Sequence, residues 1–98
     1  MITLPDLHDA TFVCLIFEWE TGNAELKFRA STQQSKMVRI FAFSTRRLLC
    51  PRANPWGPSV SVNGVSLSAI AGEQILKVEM QSGDVLEVHA ADIQIAIE

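Results

Sequence analysis

An antiparallel all-β domain is what this chain predicts, with about seven strands in hairpins forming a twisted sheet, sandwich or roll. Two patterns and one absence carry that prediction. Apolar and polar residues alternate with period two in successive segments, as in Leu26 and Phe28 against Lys27 and Arg29. Turn formers punctuate those segments at Gly22-Asn23, Asn63-Gly64 and Ser82-Gly83-Asp84, where short hairpin loops need them. No stretch sustains a helical period over about ten residues.

The elements follow in order. Met1–Asp9 is an irregular lead-in, because Pro5 restricts Leu4 to extended or turn backbone. Thr11–Glu20 is a strand that begins as an apolar run and resolves into alternation. A turn at Thr21-Gly22-Asn23 centred on Gly22-Asn23 sets Trp19 opposite Leu26, Phe17 opposite Phe28 and Leu15 opposite Ala30. Ala24–Ala30 alternates, with Ala24, Leu26, Phe28 and Ala30 inward. Ser31–Ser35 is a polar connection. Lys36–Thr45 is apolar on both faces, which predicts a central or doubly covered strand.

The unusual stretch comes next. Residues 46–58 hold three prolines, three arginines and Trp56, and they read as a crossover loop. Asn63-Gly64 then predicts a type I′ hairpin in Val60–Leu67, pairing Val62 with Val65 and placing the serines on one face. Ser68–Gly72 reads as a loop and Gln74–Gln81 as a strand with Leu76, Val78 and Met80 inward. A three-residue turn at Ser82-Gly83-Asp84 pairs Met80 with Leu86, Val78 with Val88 and Leu76 with Ala90. Leu86, Val88 and Ala90 are even-numbered whereas Ile93, Ile95 and Ile97 are odd. One strand cannot hold both sets on one face, which predicts a bulge or corner at Ala90-Ala91-Asp92.

Ninety-eight residues allow one domain, residues 1–98, with a single core. The net charge of −3 conceals a segregation: residues 36–64 carry five bases and no acid, and both flanks are acidic. Cross-strand pairing is one reading of that pattern; a basic face for an acidic partner is the other. With eight Lys and Arg and a pI near 5.3, nucleic-acid binding is not expected. The longest apolar run, Phe12–Phe17, is far short of the about 20 residues that span a bilayer as a helix, so no membrane association is expected. Cys14 and Cys50 lack metal-ligand spacing and read as small buried hydrophobes with free thiols. Such thiols suit a reducing compartment, and together with an opening that carries no basic stretch they point to a cytoplasmic protein.

Candidate chemistry is sparse. His8-Asp9 reads as local polarity and His89 as a solvated residue opposite Lys77, and no acid, base and nucleophile converge; no enzyme activity, metal or cofactor is expected. The binding candidates are Arg47, Arg52 and Trp56 in the 46–58 stretch, together with His8. Trp and Arg are enriched at interface hot spots, and proline lowers the ordering cost of docking. The Leu7–Ala10 opening, the Pro55–Asn63 segment and the Met80–Asp84 turn resemble a group of small bacterial proteins. Some similar all-β families are predicted immunity proteins of toxin systems. The resemblance implies a bacterial source and an all-β fold and names no active site. The expectation is a non-enzymatic interaction protein, immunity-like, that binds a protein partner. The alternative is a small-ligand-binding or regulatory module with a cavity near residues 46–58. A homodimer that covers Ile75 and Val85 is a further expectation.

Overall fold

The computed structural model describes residues 7–30, 36–53 and 60–97. Among the described residues six strands make one antiparallel sheet: β1 (Thr11–Glu18), β2 (Asn23–Arg29), β3 (Met37–Leu49), β4 (Val62–Ile70), β5 (Glu73–Met80) and β6 (Val85–Ile97). Their spatial order is β1-β2-β3-β6-β5-β4. The all-β class holds, with one strand fewer than the punctuation of the sequence implies. Residues 1–6 of the expected lead-in Met1–Asp9, and the connection Ser31–Ser35, lie outside the described residues.

The sheet curls until its outer strands touch. Asp9 N donates to Val62 O at 2.8 Å and Val62 N to Ala10 O at 2.9 Å, and Thr11 bridges Ser61. Inside lies one core, in which Phe28, Leu26, Ile40, Leu76, Ile93, Val62, Val78 and Val88 are fully buried. Of the inward sets expected for β2 and β5, Ala24, Leu26, Phe28, Leu76, Val78 and Met80 are buried, and Ala30, past the end of β2, is half-buried. β3 is central, as its two apolar faces require. On β1 a bulge between Phe12 and Cys14 lets Phe12 and Leu15, three residues apart, share the inner side.

Two hairpin registers differ from expectation by an even step, so the faces survive and the partners change. β1 ends at Glu18, and Trp19–Gly22 form the connection, with Glu18 opposite Asn23. Gly22 takes φ +76° as the last loop residue, and its N–H returns to Glu18 O at 2.9 Å. Leu15 therefore meets Leu26 and Phe17 meets Ala24, and Trp19 does not face Leu26. At the other hairpin Val78 meets Leu86 and Leu76 meets Val88. Met80 N bonds Asp84 O at 2.8 Å, which closes the three-residue loop Gln81-Ser82-Gly83, one position earlier than Ser82-Gly83-Asp84.

The Asn63-Gly64 hairpin does not form. β4 runs through it, and the pair sits at a register shift between Val62 and Gly64. A type I′ turn needs positive φ at both central residues. Gly64 lacks it, whereas Ala71 (φ +53°) and Gly72 (φ +78°) have it. The turn therefore falls at Ala71-Gly72, with Ile70 opposite Glu73, and Ser68–Ile70 are strand instead of loop. Asn63 is held in its bulge by donating from Nδ2 to the Glu79 carboxylate.

The change of phase in β6 is real: Ala90 and Ile93 are both fully buried. The irregularity that permits it lies in the paired strand. β6 keeps register with β3 from Ile97 to Ala90, and the shift occurs in β3 between Thr45 and Arg47. Ser44, at φ +55°, is level with Ala91, so both long strands turn a corner together. β3 continues to Leu49, opposite Glu87. Residues 46–49 are thus strand, and the crossover loop is shorter than residues 46–58.

Candidate functional site

The corner in β3 builds a groove. Phe17, Trp19, Gly22, Thr45, Arg46, Arg47 and Leu48 line a depression of about 430 Å³. Its positions are set by backbone. Thr45 N donates to Gly22 O at 2.8 Å, which pins the Trp19–Gly22 connection against β3. The register shift beside it turns Arg46 and Arg47 outward, both exposed. Trp19 stands 88% exposed, edge-on to Phe17 with ring centroids 5.8 Å apart at 83°. A large aromatic beside two guanidinium groups is a surface composition typical of interface hot spots. Nothing in the two-residue alternation distinguishes Trp19 from its inward neighbours; the signal was the Glu18–Asn23 loop length, which sets where the strand ends.

Arg47 also borders a charged row. It is level with His89, which is level with Ile75, not Lys77. His89 is not a solvated histidine. Its side chain is 20% exposed, with Nε2 3.2 Å from Glu87 Oε1 and Nδ1 3.5 Å from Glu73 Oε1. Hydrogen bonding from His89 lowers the Glu87 carboxyl below its ordinary value, opposed by desolvation and helped by the charges of Lys77, His89 and Arg47.

The other candidates stand elsewhere. Arg52 lines an apolar cleft of about 310 Å³ with Phe12, Cys14, Cys50, Met80 and Asp84. Both thiols are free, as expected, but neither is a buried hydrophobe: Cys14 is half-buried and Cys50 exposed. His8 lies at the seam where the sheet closes. Its Nδ1 is 2.8 Å from Asn63 O and its Nε2 3.6 Å from Asp9 Oδ2. Gln81 Nε2 donates to Asp9 Oδ1 and its backbone N to Ser61 O, so this polar cluster acts as a clasp between the segment that leads into β1 and the adjoining ends of β4 and β5. Trp56 lies outside the described residues. Arg47, Arg52 and His8 therefore line three different depressions. Among the described residues no group of three or more His, Cys, Asp or Glu is arranged to hold a metal ion, and no helix is long and apolar enough to cross a membrane.

No protein-family model matches the chain, and no curated protein matches it. A crystal structure of an uncharacterized protein from Neisseria gonorrhoeae is similar in fold, with a TM-score of 0.68 over 90% of each chain at 11% identity. The likeness extends to the architecture of the sheet.

Proposed function

We propose that this protein is a non-catalytic binding module that docks an acidic protein partner on the groove formed by Trp19, Arg46 and Arg47. One observation carries the reading: Trp19 is 88% exposed on a connection pinned to β3 by the Thr45–Gly22 hydrogen bond. An exposed tryptophan on a rigid turn supplies apolar area at low ordering cost. The adjacent arginines supply charge steering toward carboxylates. In this reading Arg47 has the binding role expected from the sequence, and Trp19 provides the aromatic anchor. The basic segment 36–64 is the only one of the three charge blocks with a positive sum, which favours an acidic counterpart. An immunity-like role fits this chemistry, with a toxin of acidic surface as the partner. The test is capture with the full chain carrying a photo-crosslinking residue in place of Glu20. A specific acidic protein recovered by the parent, lost with Trp19→Ala and with Arg46→Ala/Arg47→Ala, and kept by Arg52→Ala supports the groove. A partner recovered equally by all four rejects it.

The cleft of about 310 Å³ around Cys14, Cys50 and Arg52 favours a second reading, a module for a small apolar ligand bearing an anionic group. Apolar walls with one placed charge are the usual make-up of such sites. A thermal-shift series of medium-chain carboxylates tests it. A melting temperature raised by one of them and not raised in Arg52→Ala supports the cleft, and no shift across the series rejects it.

A further inference from the structure

The outer edge of β4 lacks the features that usually protect an edge strand. β4 ends the sheet and is bonded to β5 on one side. Beyond the closure at Ser61 and Val62, no described residue bonds its other side from Gly64 to Ile70. Natural edges are blunted by charges, proline, bulges or short length. β1, the opposite edge, carries a bulge at Val13 and Glu18 at its end. β4 holds neither charge nor proline over nine residues, and its bulge lies at its start. Ile70 closes it at 63% exposure.

We infer that β4 is a self-association edge, and that its occupant is β4 of a second copy, paired antiparallel about a two-fold axis through Leu67. Opposed residues of an antiparallel pair share a face, so identical strands can pair only in registers that keep parity. The register centred on Leu67 is the one that engages all seven residues from Gly64 to Ile70. It sets Leu67 against Leu67, Val65 against Ala69, Ser66 against Ser68, and Ile70 over Gly64. Val65 and Leu67 lie on the inner side, where they meet Val78 and Leu76 of β5, so the apolar row continues from one copy into the next. On the outer side the serines form a hydroxyl ladder. A Cβ placed on Gly64 meets nothing within 4 Å, so there is open space there for the partner's Ile70. The strand is charge-free, so a copy of itself meets no like charge directly opposite, which would be destabilising. The result is one sheet continuous across two protomers. A seven-residue edge is small beside a standard interface of about 1,600 Å², so association is concentration-dependent.

The test is sedimentation of the full chain over a concentration series, with hydrogen exchange of the β4 amides. The wild type is expected to double its mass of 10.8 kDa as concentration rises, with β4 amides gaining protection in parallel. Ser66→Glu/Ser68→Glu places like charges opposite each other twice across the axis and is expected to weaken the dimer about tenfold or more. Ser66→Glu/Ser68→Lys pairs opposite charges in the same register and restores it, and in the monomer the introduced carboxylate sits opposite Lys77. A dimer that tolerates the Glu/Glu variant overturns the register. A wild type that stays monomeric overturns the proposal, whether its β4 amides exchange freely or are covered from within the same chain.

Discussion

Two glycines of β4 and its turn separate the observed register from the one that Asn63-Gly64 invites. Gly72 holds φ +78° with open space around its Cβ position; Gly64 has equally open space and no positive φ. Replacing either by alanine meets no steric neighbour, so the two variants differ only in backbone conformation. Both lose unfolded-state freedom, which stabilises by about 0.4–1 kcal/mol where the native backbone is compatible. That contribution cancels in the comparison. What remains is the left-handed strain at position 72, about 1–2 kcal/mol. Gly72→Ala is therefore expected to be less stable than Gly64→Ala by about 1–2 kcal/mol, and for a domain of this size each kcal/mol moves the melting temperature by about 4–8 °C. Urea unfolding of both variants, read as midpoints at a common m-value, gives the difference directly. A type I′ turn at Asn63-Gly64 reverses the order. If Gly64→Ala is the more damaging change, the register of β4 and the turn at Ala71-Gly72 are both wrong.

Other expected outcomes follow from the same structure. Phe28 is fully buried and stacked on Phe12 at 4.9 Å, so Phe28→Ala should cost about 3–5 kcal/mol of unfolding free energy; a loss below 1 kcal/mol, as for a surface site, contradicts its place at the centre of the core. Glu87 titrates below its ordinary value of 4.5 because of His89. A depressed carboxyl contributes stability above its unfolded pKa, and that contribution is lost as pH falls through the folded value. Carboxyl-detected NMR should show the Glu87 midpoint rising toward 4.5 in His89→Ala; an unmoved midpoint removes His89 as the cause. Cys50 is exposed and Cys14 half-buried, so a thiol reagent should modify Cys50 first and Cys14 in a slower second phase, as checked by mass spectrometry of the modified peptides; the reverse order contradicts their placement.

The class of fold was legible in the sequence because alternation with period two reports burial on one face, and the core of β2 and β5 follows it residue for residue. An even error in register leaves that alternation unchanged. This is why the inward sets expected for the two hairpins hold, Trp19 apart, while Leu15, Phe17 and Val78 meet other partners than expected. Turn chemistry was less reliable. Asn63-Gly64 suits a hairpin locally, yet β4 and β5 bury Val62, Leu76, Val78 and Met80 together by pairing over their full length. The turn at Ala71-Gly72 falls inside the expected Ser68–Gly72 loop, but Ala71, a non-glycine at positive φ, carries no mark that narrows the loop to those two residues. The corner in β6 announced itself as a change of parity. Its origin at Ser44 and Arg46 lay in the partner strand, where no pattern marked it. The candidate site was half visible: Arg47 stood out by its charge, while the exposure of Trp19 depended on a loop length that composition does not report.

The claim that Trp19 belongs to a docking surface and not to the fold is tested most directly by one paired measurement on Trp19→Ala: its affinity for the captured partner and its unfolding free energy. At 88% exposure the side chain has little buried area to lose, so stability should stay within about 1 kcal/mol of wild type, the edge-on contact with Phe17 included. Affinity should fall by about 2 kcal/mol or more, roughly thirtyfold, as for a hot-spot aromatic. Unchanged affinity, or a loss of stability as large as that of Phe28→Ala, contradicts the account.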